Sequence, residues 1–207
     1  MSIWTVALAA VSLLVQARAN DRLDNLLEHA SQQLNRAEFL EDPRALEDAR
    51  AGIDQALKLA PAHFPALKLR ARQLTVAGDL AAARELALGL NKTMPDDLDV
   101  RWSLVVACRR TGRHEEAERT AQWMLDLRPE DPRSLLAAVD LRTDAGQFEA
   151  ALRVCLDLLV RTELQDPYLR LAVLDRTGAA YQGLGRGELG EKARTAARQL
   201  RTQLKGQ

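Results

Sequence analysis

Three kinds of residue recur in this chain at one fixed interval, and this recurrence restricts the fold more than any other feature. The recurring positions share a 34-residue period: Ala49, Ala83, Ala117 and Ala151, then Gly78, Gly112 and Gly146, then Pro61, Pro95 and Pro129. A period of roughly 20 to 50 residues is typical of arrays in which similar units stack on one another. We therefore predict a row of units, each too small to bury its own apolar face.

The spacing within each unit predicts two helices joined by a tight turn. Ala117, Ala121 and Met124 lie four and three residues apart. This spacing puts them on one face of a helix, and Pro129 stops that helix. The earlier helix of each unit ends at the recurring glycine, which can take the left-handed conformation of a helix C-cap. Aspartate N-caps followed by proline predict helix starts at Asp42-Pro43, Asp131-Pro132 and Asp166-Pro167.

The composition agrees with packed helices and gives no sign of a nucleic-acid partner. Aromatic residues make up only 4% of the chain, whereas a β-sandwich would require more aromatic and β-branched residues. The formal net charge is zero, with 29 basic and 29 acidic side chains. Because nucleic-acid-binding proteins usually carry a basic excess, we expect no nucleic-acid partner.

The 34-residue unit, with its alanine, glycine and proline in these places, resembles that of the tetratricopeptide-repeat (TPR) family. The resemblance implies an all-α fold, a right-handed α-solenoid of stacked antiparallel helix hairpins known as the TPR superhelix. Hairpins are expected at about residues 21–63, 64–97, 98–131, 132–165 and 167–204. The opening hairpin lacks the glycine in its first helix, and about five residues are inserted between Leu159 and Pro167. Atypical ends are expected in such arrays, because terminal helices face water.

The first nineteen residues have the pattern of a signal peptide. A segment that spans a bilayer needs about 20 residues. The uncharged stretch from Val6 to Val15 is shorter than this but suits the apolar core of a secretory signal. Ala17 and Ala19 form a small-x-small cleavage site.

We therefore expect a signal peptide over residues 1–19, cleavage after Ala19, a repeat array over 20–207, and a periplasmic or secreted location. Because no Lys or Arg precedes the apolar stretch, a cytoplasmic protein that keeps Met1 stays an alternative.

Motifs for catalysis or cofactor binding are weak in this sequence. Gly185, Gly187 and Gly190 match a dinucleotide fingerprint. They follow a predicted helix, however, and lack the strand and the later acidic residue that this motif requires. The histidines His29, His63 and His114 have no second His or Cys at metal-ligand spacing. We therefore predict that the protein is not an enzyme and takes no cofactor, no metal and no small-molecule substrate.

Two cysteines are expected to be buried as small hydrophobic residues. Cys108 lies on the apolar face of a first helix, and Cys155 lies on the apolar face of the next unit's second helix. A disulfide requires the two Cα atoms to approach within about 7 Å, and positions in different layers of the array disfavour this.

The resemblance also implies a binding face, since the first helix of each TPR unit lines the concave groove in that family. Helical phase assigns ten residues to this groove: Lys68, Arg72, Trp102, Val106, Arg109, Arg110, Arg133, Leu136, Asp140 and Asp144. Trp102 is the foremost candidate for a partner contact, because Trp often carries binding energy and an indole turned from the core needs cover. The five cations of the set favour an acidic peptide. The alternative is that these charges form only the solvated face of each helix.

The function that follows is a protein–protein interaction scaffold, or adaptor, that binds a peptide or protein partner in the concave groove. The leader peptide predicts a place in a bacterial cell envelope, where a membrane-associated complex is one setting. A bacterial source with a GC-rich genome is favoured because arginine outnumbers lysine 24 to 5. Two alternatives remain open: a cytosolic chaperone-like or regulatory repeat protein, and an accessory subunit of an envelope enzyme complex.

Overall fold

The computed structural model describes residues 3–161 and 165–206 and, within the first helix, the side chains of Arg18 and of Asn20 onward. This part of the chain forms ten helices and no strand, so the predicted all-α fold is confirmed. The helices are α1 (Ile3–Leu40), α2 (Pro43–Leu59), α3 (Phe64–Ala77), α4 (Leu80–Thr93), α5 (Leu98–Arg110), α6 (His114–Leu127), α7 (Pro132–Asp144), α8 (Phe148–Val160), α9 (Pro167–Gly183) and α10 (Gly187–Lys205). Among these helices, none is both long enough and apolar enough to cross a membrane.

The helices pair into five antiparallel hairpins that stack in chain order. Every helix packs against the next one along the chain, and each odd-numbered helix also packs against the following odd-numbered helix. The odd-numbered helices α1 to α9, which we call the first helices, therefore form a continuous inner layer. The even-numbered helices form the outer layer, and the predicted solenoid of stacked hairpins is confirmed.

The aspartates of the predicted Asp-Pro helix starts act as N-caps, which confirms these starts. The Asp42 carboxylate accepts hydrogen bonds from the backbone N–H groups of the first turn of α2. Asp131 and Asp166 do the same at α7 and α9, with nitrogen-to-oxygen distances of 2.9 Å. These bonds satisfy backbone donors that have no partner inside the helix.

The recurring glycines end the first helices in the left-handed conformation, as predicted. The φ angles are 85° at Gly78, 73° at Gly112, 72° at Gly146 and 70° at Gly185. A side chain at positive φ is strained, whereas glycine is not.

The same glycine-to-alanine change should have opposite effects at two positions of this chain. Gly112→Ala places a Cβ at a positive φ and should lower the free energy of unfolding by about 1 kcal/mol or slightly more. Gly89→Ala lies inside α4, where an added Cβ meets no atom of the described residues within 4 Å. Better helix propensity should therefore raise its stability by up to about 1 kcal/mol. Urea unfolding of both variants checks this. Equal changes in the free energy of unfolding would contradict the left-handed cap at Gly112.

The hydrophobic core lies between the two helix layers and uses small residues where helices approach closely. The alanines of the 34-residue column, Ala49, Ala83, Ala117 and Ala151, are all fully buried. Larger side chains such as Ile53, Met124 and Leu158 fill the space between them. Small residues at the crossing points let neighbouring helices come close together, which explains why alanine is found in every unit.

Both cysteines are buried free thiols, as the sequence predicts. Cys108 packs with residues of α3 to α6, whereas Cys155 packs with residues of α7 to α9. Burial raises the pKa of both thiols, and that of Cys155 to about 11, so they remain protonated at neutral pH. Such thiols behave as core residues and not as nucleophiles.

The end of α1 packs against the last hairpin, so the array closes on itself. Leu40 is fully buried with Leu171 of α9 and with Ala197 and Leu204 of α10. Phe39 packs beside Tyr168 with ring centroids 5.8 Å apart. Arg201 donates a hydrogen bond of 3.0 Å to the Phe39 carbonyl oxygen. We call this contact, made by Phe39, Leu40, Tyr168, Leu171, Ala197, Arg201 and Leu204, the closing seam. It turns a row of hairpins into a ring.

Candidate functional site

The ring surrounds a cavity of about 880 Å³ on its inner side. All five first helices contribute to its wall, and Arg201 of α10 contributes at the closing seam. Trp102, Leu169 and Phe39 supply apolar surface, and Leu136 lies almost fully buried behind it. A volume of several hundred cubic ångströms, with apolar walls and a few polar groups, is typical of sites that enclose a ligand or a short chain segment.

Five of the ten residues that the sequence assigns to the groove line this cavity: Lys68, Arg72, Trp102, Arg133 and Leu136. The other five, Val106, Arg109, Arg110, Asp140 and Asp144, lie outside its wall. Leu136 and Asp140 of α7, which helical phase assigned to the groove, are only 2% and 7% exposed. They are buried because α7 packs between α5 and α9 and its inner face meets side chains from both helices.

Trp102 lies half-buried in the cavity wall, between two parts of the hydrophobic core. Its indole packs against core residues of α5 to α7 on one side and of α7 to α9 on the other. The guanidinium of Arg176 lies 6.0 Å from the centre of the ring. Neighbouring side chains therefore hold the indole in place while part of it faces the cavity.

Every cation in the cavity wall already has a carboxylate partner within the protein. Lys68 contacts Asp97 at 2.8 Å and Asp99 at 3.2 Å, Arg72 contacts Glu38 at 2.7 Å, Arg133 contacts Asp131 at 3.0 Å and also Asp99, Arg176 contacts Asp140 at 2.7 Å, and Arg201 contacts Asp175 at 2.8 Å. Most of these pairs join one first helix to the next. The cations therefore tie neighbouring units together along the inner face.

The pKa shifts follow from these pairs. Burial acts to lower the pKa of Lys68, but the hydrogen bond with Asp97 and the charges of Asp99 and Asp97 outweigh it and raise the pKa. Burial acts to raise the pKa of Asp99, but Arg133 and Lys68 outweigh it and lower the pKa. Asp99 therefore contributes stability at neutral pH, and this contribution is lost as the pH falls through its lowered pKa.

The two cations outside the wall are also bound to the protein itself. Arg109 contacts Asp140 at 3.3 Å and Asp144 at 3.6 Å. Arg110 donates a hydrogen bond of 3.0 Å to the backbone carbonyl oxygen of Thr75 in α3. Both side chains therefore brace one unit against its neighbour.

The sequence interpretation missed cavity residues at the two ends of the array. Glu38 and Phe39 of α1 and Arg176 of α9 line the cavity but belong to units that depart from the repeat pattern. One signal could have found part of this set, because opposite charges stand one repeat apart in two of the pairs, Glu38–Arg72 and Asp99–Arg133. Within residues 3–161 and 165–206, no three His, Cys, Asp or Glu side chains come together as metal ligands.

Comparison with solved structures identifies the fold. TTC0263, a TPR protein of Thermus thermophilus, is similar over 86% of this chain and 91% of its own, with a TM-score of 0.68 and 18% sequence identity. The chain has the tetratricopeptide-repeat fold. A mutant of MamA is similar over 89% of this chain and 98% of its own, with a TM-score of 0.50 and 14% identity. No family model matches the sequence, and no curated protein matches it.

Proposed function

We propose that this TPR protein is an interaction scaffold that encloses a short peptide segment of a partner protein in its inner cavity. TPR solenoids present concave surfaces on which such segments can lie. The observation that carries the proposal is the cavity itself, about 880 Å³ in volume, with Trp102 and Leu169 in the wall and polar groups from six helices around them.

Because the ring is closed, we propose that the ligand is a chain end or a narrow loop and not a folded domain. A cavity of this volume is in the range that encloses a ligand of drug size, and a few residues of extended chain have similar bulk. Half-buried Trp102 provides a rigid apolar surface with one polar group, a combination common at the centre of protein interfaces.

Selection from a phage-displayed library of random peptides tests the proposal, because it needs no knowledge of the natural partner. We expect enrichment of a sequence motif on the wild-type protein and loss of binding on a Ser31→Trp variant. Ser31 lies in the cavity wall, so an indole there fills space without removing a core contact. Gln55→Trp, on the exposed side of α2, is the matched control and should bind as wild type does. A motif that binds both variants equally well would place its site elsewhere.

We also propose that the protein acts in a bacterial cell envelope after export and removal of residues 1–19. The apolar stretch and the Ala17-x-Ala19 site support this proposal. Among the side chains of α1 that the structure describes, Leu23 is the first that is buried. Cleavage after Ala19 would therefore leave every described core contact of α1 in place.

Removal of the leader should leave the fold intact, whereas a slightly longer truncation should not. We expect the free energy of unfolding of residues 20–207 to lie within about 0.5 kcal/mol of that of the full chain. A chain that starts at Glu28 loses Leu23, which packs with Ala56 and Ala66, and should be less stable by about 2 kcal/mol. Thermal unfolding of the two truncated chains checks this. N-terminal sequencing after expression in a Gram-negative host should find Asn20 first, and a retained Met1 would contradict export.

A further inference from the structure

We propose that the peptide segment held in the cavity is basic, with Lys or Arg side chains on either side of an apolar residue. This inference rests on the proposed function and specifies the chemistry of the ligand. It is the opposite of the acidic peptide that the cations in the sequence favour. Three features of the cavity wall support it. Acidic side chains outnumber basic ones, every basic side chain is already paired with a carboxylate, and two carboxylates belong to none of the ion pairs described above.

Carboxylates outnumber cations in the cavity wall. Among the side chains that the structure describes, seven acidic ones line it, Glu28, Glu38, Glu41, Asp99, Asp131, Asp166 and Asp175, against the five cations Lys68, Arg72, Arg133, Arg176 and Arg201. The wall therefore carries two negative charges in excess. A concave surface with excess charge of one sign concentrates ligands of the opposite sign.

The cations of the wall can bind an acidic ligand only if they give up contacts that they already make within the protein. Each one contacts a carboxylate at 3.0 Å or less, and Arg72 also donates a hydrogen bond of 2.7 Å to Asn35. An acidic peptide would have to compete with these carboxylates for the same donors, or lie beside them and be repelled. A basic peptide leaves the existing pairs intact.

Two of the carboxylates in the wall, Glu28 and Glu41, are exposed. Neither forms an ion pair with a basic side chain in the part of the chain that the structure describes. Asp166 is different, because its carboxylate caps the start of α9. Glu28 and Glu41 are therefore the acidic groups that can still accept a Lys or Arg from a ligand.

The separation of these two carboxylates predicts the spacing of the basic residues. Glu28 lies in α1 and Glu41 directly follows its last residue, Leu40. They are therefore about 20 Å apart along the helix axis. An extended peptide covers this distance in roughly six residues. Trp102 and Leu169, both half-buried, lie in the wall of the same cavity and offer apolar surface to the residues between the two basic ones.

Two carboxylates of the cavity wall, Asp175 and Glu41, lie close enough for their charges to interact. Burial raises the pKa of Asp175 although Arg201 and Arg176 act to lower it, and the nearby charge of Glu41 adds a smaller effect that raises it. Arg201 contacts Asp175 and forms no recorded contact with Glu41, so the Glu41 carboxylate stays open to a ligand cation. A ligand cation beside Glu41 would relieve their mutual repulsion.

The charge of the peptides selected from the random library tests the proposal, together with a Glu28→Gln, Glu41→Gln double variant. The motif selected on the wild-type protein should be enriched in Lys and Arg relative to the input library. A fluorescein-labelled peptide with this motif should bind the double variant about three- to tenfold more weakly, since exposed ion pairs contribute modestly. Its affinity for wild type should also fall as salt rises. The control is a Glu47→Gln, Glu85→Gln variant, which removes exposed acids of α2 and α4 outside the cavity and should bind as wild type does.

The outcomes separate this inference from the proposed function. A selected motif that is acidic or uncharged, and that is lost in Ser31→Trp, would overturn the basic ligand while the cavity remained the binding site. A basic motif that binds the double variant as tightly as wild type would equally overturn it, because Glu28 and Glu41 would not recognise the charge. If no selected motif loses binding on the Ser31→Trp variant, both proposals are overturned.

Discussion

Asp140→Ala is expected to lower the free energy of unfolding by about 3 kcal/mol, although Asp140 lies outside the cavity wall. Its buried carboxylate accepts two hydrogen bonds from Arg176, of 2.7 and 2.8 Å, and also contacts Arg109 at 3.3 Å. It therefore joins α5, α7 and α9. Removing it leaves the mostly buried guanidinium of Arg176 without this counter-charge, and breaking a buried pair in this way typically costs about 3 to 5 kcal/mol. The lower end applies because Arg176 keeps some contact with water.

Asp144→Ala is the matched control for this prediction. Asp144 also contacts Arg109, at 3.6 Å, but it is exposed at the end of the same helix. Exposed pairs contribute little, so this change should lower stability by less than about 0.5 kcal/mol. Urea unfolding followed by circular dichroism measures both variants. Equal losses would show that Asp140 contributes no more than a surface charge, and that the ion pairs of the inner layer do not hold the units together.

Leu40→Asp is expected to open the ring while the hairpins remain folded. Leu40 is fully buried in the closing seam, and a carboxylate at this position would be placed among Leu171, Ala197 and Leu204. An unpaired charge in an apolar site is costly, by at least several kcal/mol, and separation of the seam hydrates it. Each hairpin then keeps its neighbours in the array, because stability in a solenoid comes mainly from adjacent units.

Small-angle scattering and circular dichroism together check this second prediction. The radius of gyration should rise while the helical signal stays close to that of wild type. Leu59→Asp is the control, since Leu59 lies at the end of α2 with 49% of its surface exposed, and it should change neither quantity. An unchanged radius for Leu40→Asp would mean that the seam does not close the ring. Loss of helicity would mean that the hairpins depend on it.

Much of the fold could be predicted from the sequence because the information is local and repeats. Helical faces, aspartate caps and left-handed glycines such as Gly112 depend on residues a few positions apart. The recurrence of these signals in every unit then indicates how the hairpins stack. The burial of Cys108 and Cys155 follows from the same helical phase.

The candidate site was only partly predictable, because the pairing of its charged side chains depends on neighbouring helices. Helical phase assigned Lys68, Arg72 and Arg133 to the inner face, and they do line the cavity. It could not show that each of them is already paired, because an ion pair requires a partner on a neighbouring helix at the correct height. Whether a cation is free for a ligand or bound within the array depends on these side-chain positions.

The sequence by itself determined the helical hairpins, their order and the caps that bound them, since each of these follows from contacts between residues close in the chain or one repeat apart. Only the tertiary structure decided that the row closes into a ring around a cavity with an excess of carboxylates. The seam joins Phe39 and Leu40 to residues more than a hundred positions later, with no periodicity to mark the pair. Closure results from small rotations that accumulate over all five hairpins, and no single unit encodes their sum.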